Sequence, residues 1–270
     1  MIPIKKSRLL ALGALLSLLA FTAAAEVPTD PPVFSDPTEF DSPYFPFEPG
    51  AFKIFAGYED GAMIVFMDIY HFDTRTFMLD GEEVECAILE EVEFEDGELV
   101  EISVNYFAES DNGDAYYFGE VVDDYEDGEI VGHDGSWLVG GPTEPTDPVE
   151  TATAEIPAVF MPAEPEVGDA FKPEDLFPLV DETGTVVRVG VRIGTPAGVY
   201  EDCILVRETT QLSSDVEYKA YAPGVGVVRV AARGARVALY ASTLVAEEDD
   251  DDDEEALKAD EEGAARWLKH

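Results

Sequence analysis

The sequence predicts a mainly β protein, built as two tandem antiparallel meander repeats that form open half-barrels or one continuous curved sheet. Three observations predict it. Apolar and polar residues alternate with period two between Asx-Gly turns, the pattern of half-buried antiparallel strands. The chain repeats itself in order and spacing. Helical periodicity is strong only near the C-terminus, at 256–268, with one short helix expected around Pro173 to Leu179.

At the N-terminus, Lys5, Lys6 and Arg8 precede an apolar run from Leu9 to Phe21, and Ala23-Ala24-Ala25 supplies small residues before Glu26. This is the three-part pattern of a cleavable secretory signal, 1–25. The run is shorter than the roughly 20 residues a spanning helix needs, and no Cys follows to carry a lipid. The expectation is a secreted or periplasmic protein cleaved near Ala25-Glu26, with no transmembrane segment in the mature chain.

A Pro-rich segment, 26–43, leads into the first repeat, 44–139. Met63 to Phe72 is a long β-prone run, and Val84 to Glu93 alternates in part. Glu95-Asp96-Gly97-Glu98 turns the chain, and Leu99 to Ala108 returns as a hairpin. Asp111-Asn112-Gly113-Asp114 leads into Ala115 to Val122, and Glu126-Asp127-Gly128 is a third turn. The connector, 140–165, is rich in Pro, Thr and Glu and reads as a loop or linker. In the second repeat, 166–245, Val187, Val189 and Val191 alternate with Arg188, Gly190 and Arg192. Further strands are expected at Val199 to Glu208, Glu217 to Ala222, Val225 to Ala231 and Arg236 to Ser242. The tail, 246–270, contains nine consecutive acids, Glu247 to Glu255, whose self-repulsion favours disorder.

The repeat rests on three anchors. Gly81 to Glu90, containing Cys86, aligns with Gly198 to Arg207, containing Cys203. Upstream, Phe52-Lys53 answers Phe171-Lys172. Downstream, Tyr106-Phe107-Ala108 and Gly113 to Tyr116 answer Ala220-Tyr221-Ala222 and Gly224 to Val227. Phe and Cys are 34 residues apart in the first copy and 32 in the second.

Charge divides the copies. Residues 26–171 hold 38 acids against only Lys53 and Arg75, whereas 172–246 hold nine acids and eight bases. Phosphate would be repelled by such a chain, which argues against nucleic acid as a partner and allows cations, basic proteins or simple hydration.

Enzyme signals are poor. The three histidines, His71, His133 and His270, have no metal spacing, and no Ser lies in a Gly-x-Ser-x-Gly setting. Glu109, Asp111 and Asp114, then Asp123 and Asp127, place hard oxygen ligands on turns, where calcium would suit them, although neither stretch fits an EF-hand. Asx residues also serve turns for their own sake. Tyr106, Tyr116 and Phe118, with Tyr221 in the second copy, are candidates to line a groove for an apolar ligand if the sheet curls without closing. Alternation puts Tyr116 and Phe118 on one face and Tyr117 on the other. Cys86 and Cys203 follow acids, which disfavours a reactive thiolate. Export permits a disulfide, but duplication explains the pair without one, and two buried free thiols are expected. The residues thus imply a non-enzymatic protein that acts by binding. A calcium-responsive acidic surface or matrix protein is the alternative, and an unrecognised hydrolase a distant third.

Several stretches resemble a family of exported bacterial proteins of unknown function. They are Pro43 to Gly50 (PYFPFEPG), Asn105 to Glu120 (NYFAESDNGDAYYFGE), Asp134 to Trp137, Met161-Pro162-Ala163 and Tyr221 to Gly226 (YAPGVG). Where that family has an aromatic before Tyr106, Asn105 stands here. The resemblance implies location and architecture but no catalytic residues. Tyr221 to Gly226 is also similar, more weakly, to exported β-sheet proteins forming open barrels, some of which carry lipids.

Overall fold

The computed structural model describes residues 25–28 and 30–245. The bulk of the expected signal segment and the acidic tail, with its expected helix, lie outside the described residues. Among the described residues sixteen strands follow in chain order. They are β1 (Ala25–Glu26), β2 (Phe52–Glu59), β3 (Ala62–Leu79), β4 (Glu82–Glu95), β5 (Glu98–Glu109), β6 (Ala115–Glu126), β7 (Glu129–Gly132) and β8 (Trp137–Val139). Then come β9 (Ala152–Ala154), β10 (Ala158–Met161), β11 (Asp169–Leu176), β12 (Val180–Thr195), β13 (Gly198–Thr209), β14 (Val216–Ala222), β15 (Gly226–Ala232) and β16 (Ala235–Ser242).

Four hairpins of the first copy close on Asp-Gly pairs with both residues at positive φ, Asp60-Gly61, Asp80-Gly81, Asp96-Gly97 and Asp127-Gly128, while the β5–β6 turn has positive φ at Gly113 alone. The Asp-Gly conformation matches the twist of the flanking strands, and Asp and Gly tolerate it best.

All strands join one mainly antiparallel, curved sheet, in the order β1-β11-β12-β13-β14-β15-β16-β2-β3-β4-β5-β6-β8-β9, with β7 and β10 also paired to β6. The two copies are therefore continuous through β16 and β2. β10 lies alongside β11 without a ladder, so the sheet rolls almost shut around a seam.

The duplication is written into the register. Tyr70↔Leu89 and Arg75↔Cys86 in the first copy match Val186↔Val206 and Val191↔Cys203 in the second. In both, the long strand carries two residues more than its partner over that stretch, so it bulges and bends. One further residue is inserted at Phe118 in β6 and at Val228 in β15. Phe107 and Tyr221 are equivalent, as the repeat implies, but the outer anchors shift by one. Phe171 takes the ladder position of Lys53, and Val227 that of Tyr117.

Two expectations are corrected. No helix forms at 173–179: Pro173 lies in β11, where the register slips between Phe171 and Glu174, and such a bulge tolerates a residue without an N–H. The connector is not a plain loop either. It supplies β9 and β10, and Ala154, Ala158 and Met161 are buried. Short apolar runs between prolines were enough to add edge strands.

Residues directly opposite on neighbouring strands share a face. Lys53, Asp68, Glu91 and Ser103 form one such row, and Tyr70, Leu89, Asn105, Glu120 and Trp137 another. This face is the inside of the roll. One core cluster joins Phe107, Tyr117 and Trp137 of the first copy to Phe171, Val186, Ile204 and Tyr221 of the second. The N-terminal segment fills part of it, with Phe45 packed on Phe107 and Phe160 (ring centroids 4.7 and 4.8 Å) and Phe47 on Tyr70 (4.9 Å).

Candidate functional site

Carboxylates crowd the concave face. Asp68 stands opposite Glu91, Glu93 opposite Glu101, Glu174 opposite Glu182, and Glu208 opposite Glu217. Like charges so placed repel. Two lysines relieve part of this. Lys53 Nζ is 2.8 Å from Asp68 and is only 4% exposed, and Lys219 lies 2.7 Å from Glu208 and 3.4 Å from Glu217. Burial alone would lower the Lys53 pKa, but Asp68 and Tyr70 outweigh it and raise it. Three further acids of this face are pushed toward the protonated form. Burial, then Asp68 and Glu93, push Glu91 well above the carboxylate range. Burial, then Glu174, push Glu120 up to about 8. Glu174 is raised to about 7 by burial and then by Glu182.

Three of the five turn-borne acids, Glu109, Asp111 and Asp114, hold the N-terminal segment and connector in place. Glu109 accepts the N–H groups of Asp41 (2.8 Å) and Ser42 (3.0 Å), and Asp111 accepts the N–H and hydroxyl of Ser35 (2.7 and 2.9 Å). Asp114 accepts the N–H of Ala163 at 2.9 Å, and Asp123 pairs with His133 at 2.8 Å. Asp127 forms its turn with positive φ. Among the described residues, no group of three or more His, Cys, Asp or Glu is placed to hold a metal ion.

Tyr106, Tyr116, Phe118 and Tyr221 are all buried. Phe34 packs edge-on against both Tyr116 and Phe118, while Phe77 packs edge-on against Tyr106. Tyr117 faces the other way, stacked on Phe107. Above Tyr106, Arg75 donates to its hydroxyl (3.2 Å) and to both oxygens of Asp147 (2.9 and 2.7 Å), tying the connector to β3. Cys86 and Cys203 are buried free thiols. Burial pushes Cys86 well up, and burial with Glu201 pushes Cys203 up to about 12.

An opening lies on the convex face, at the bend of β3. Phe52 faces Ile69 and Ile54 faces Met67 across the β2–β3 ladder. With Gly50, Ala51 and Tyr70 they wall a cleft of about 490 Å³, bordered by His71, Phe72 and Asp73. Those last three residues lie opposite the single Ile88, so the bulge throws them outward. The Phe72 ring is 80% exposed and curls back over Gly50. A Cβ at Gly50 would come within 2.5 Å of that ring, and its φ of +85° also favours glycine. His71 Nε2 lies 3.2 Å from Glu90 at the rim.

Sequence reasoning did not find this cleft. Met63 to Phe72 reads as one flat strand, and only the pairing with β4 shows that two extra residues break it. Comparison of the chain with protein-family models, with curated proteins and with solved structures found no match. Among the described residues no helix is long and apolar enough to cross a membrane.

Proposed function

We propose that this is an exported, non-enzymatic binding protein that takes a small apolar ligand in the convex cleft at the bend of β3. The observation that carries the reading is the cleft itself: about 490 Å³, walled by Phe52, Ile54, Met67 and Ile69. That volume falls in the range that encloses small ligands, and apolar walls supply their affinity. Phe72 supports it further, because a large aromatic ring left 80% exposed beside an apolar opening gains by covering a guest. The concave face suits such a ligand less, since Phe45 and Phe47 pack there and carboxylates crowd much of the rest.

The test is titration of the protein with the neutral fluorophore N-phenylnaphthylamine. Met67→Trp, which fills the cleft, should abolish saturable binding. Phe72→Ala should weaken it by about fivefold, from partial loss of a ring's burial. Undiminished binding in Met67→Trp, with an unchanged melting temperature, would overturn the reading.

A further inference from the structure

We infer that the ligand of this cleft is a cationic amphiphile, an apolar chain or ring system bearing an ammonium group. The inference rests on the cleft being the binding site and adds the charge of its guest. No lysine or arginine lines the opening, and His71, its one basic side chain, already faces Glu90. Asp73 borders the opening and is exposed, and Glu90 lies beside it, held to His71 at 3.2 Å. The only lysine or arginine side chains within residues 26–171 are Lys53 and Arg75. Lys53 is on the opposite face, 2.8 Å from Asp68. Arg75 is 5% exposed and bound to both oxygens of Asp147. A carboxylate or phosphate head group would therefore meet carboxylates and no free lysine or arginine of this half of the chain.

A second observation points the same way. Phe52 (41% exposed) and Phe72 (80% exposed) both border the opening, and aromatic faces attract an ammonium. Apolar walls below, two rings at the mouth and a carboxylate rim together select an apolar body with a positive head.

The experiment displaces bound N-phenylnaphthylamine with three ligands of one chain length: dodecyltrimethylammonium, dodecanol and dodecanoate, each kept below micelle formation. The ammonium should displace best and the carboxylate worst, with about fivefold between ammonium and alcohol. In Asp73→Asn the ammonium should lose most of that advantage while the alcohol is unchanged. Because any cation adsorbs to so acidic a surface, Met67→Trp is the control and should show saturable binding of none of the three. Equal displacement by all three overturns the inference about charge and leaves the cleft standing. Full ammonium advantage in Asp73→Asn also overturns it. Displacement by none, or equal binding in Met67→Trp, overturns the cleft reading beneath it.

Discussion

Glu120 sits opposite Trp137 on the concave face and is surrounded by Tyr117, Glu101, Glu174 and Glu182. Its carboxyl keeps its proton to about 8, against 4.5 for an ordinary glutamate, through burial first and Glu174 second. A carboxyl with a raised folded pKa favours the fold while protonated. That contribution is whole below the unfolded value and is lost as pH rises through the folded one. Glu174, raised to about 7, adds to the same loss. Asp147 and Asp181 act in the opposite sense. Despite burial, hydrogen bonds from Arg75 and from Lys172 hold them below the usual range, so their contribution is lost as pH falls. Glu120→Gln should therefore raise the melting temperature by about 5 °C at pH 9 and leave it unchanged at pH 4. Differential scanning fluorimetry across that range checks it, and an equal effect at both ends would show that Glu120 is not protonated in the fold.

Each copy depends on local departures from regular pairing. β6 carries an extra residue at Phe118, and Gly119 follows it with φ +116°. A Cβ at Gly119 would overlap the Trp137 carbonyl, so glycine lets β8 approach β6 closely enough to pair. Gly119→Ala should cost about 2–4 kcal/mol through clash and backbone strain together. Gly97→Ala, also at positive φ but with open space around it, should cost only about 1 kcal/mol. Urea denaturation of the two variants separates the terms, and equal losses would remove the close approach of β8 as the reason for the glycine. The bulge between Tyr70 and Thr74 is the same kind of device put to another use. It bends β3, turns Phe72 outward over Gly50 and so shapes the cleft.

At the scale of the whole molecule, the N-terminal segment does more than precede the sheet. It bonds to the end of β5 through the Glu109 N–H to Pro37 and to the following turn through the Asp111 N–H to Val33, crosses the rim at Glu109, and places Phe45 and Phe47 inside the roll. Ala25–Glu26 pairs with β11, and the N–H of Val27 donates to Ala170 at 2.9 Å. Processing after Ala25 would keep the Val27 bond and the packing that follows it. The sequence pattern of 1–25 predicts that protein recovered from a secreting host begins at Glu26, within a residue, by N-terminal sequencing. Intact Met1 in the recovered protein would sink the export reading.

The sequence by itself determined what is local. Alternation and Asp-Gly turns define the hairpins, because a strand's two faces and a turn's φ angles depend on neighbouring residues alone. The Cys86 and Cys203 segments revealed the duplication for the same reason, and they occupy matching ladder positions. Only the tertiary structure decided register, closure and the site. Whether Phe171 matches Phe52 or Lys53 is a question of pairing, and a one-residue slip turns every side chain to the other face. Which of 59 acids face inward follows from that register, as does the raised pKa of Glu120. The cleft arises from two residues in β3 that have no partner in β4. An insertion is visible only against the strand it pairs with, and here a regular-looking apolar run hides which residues lack a partner.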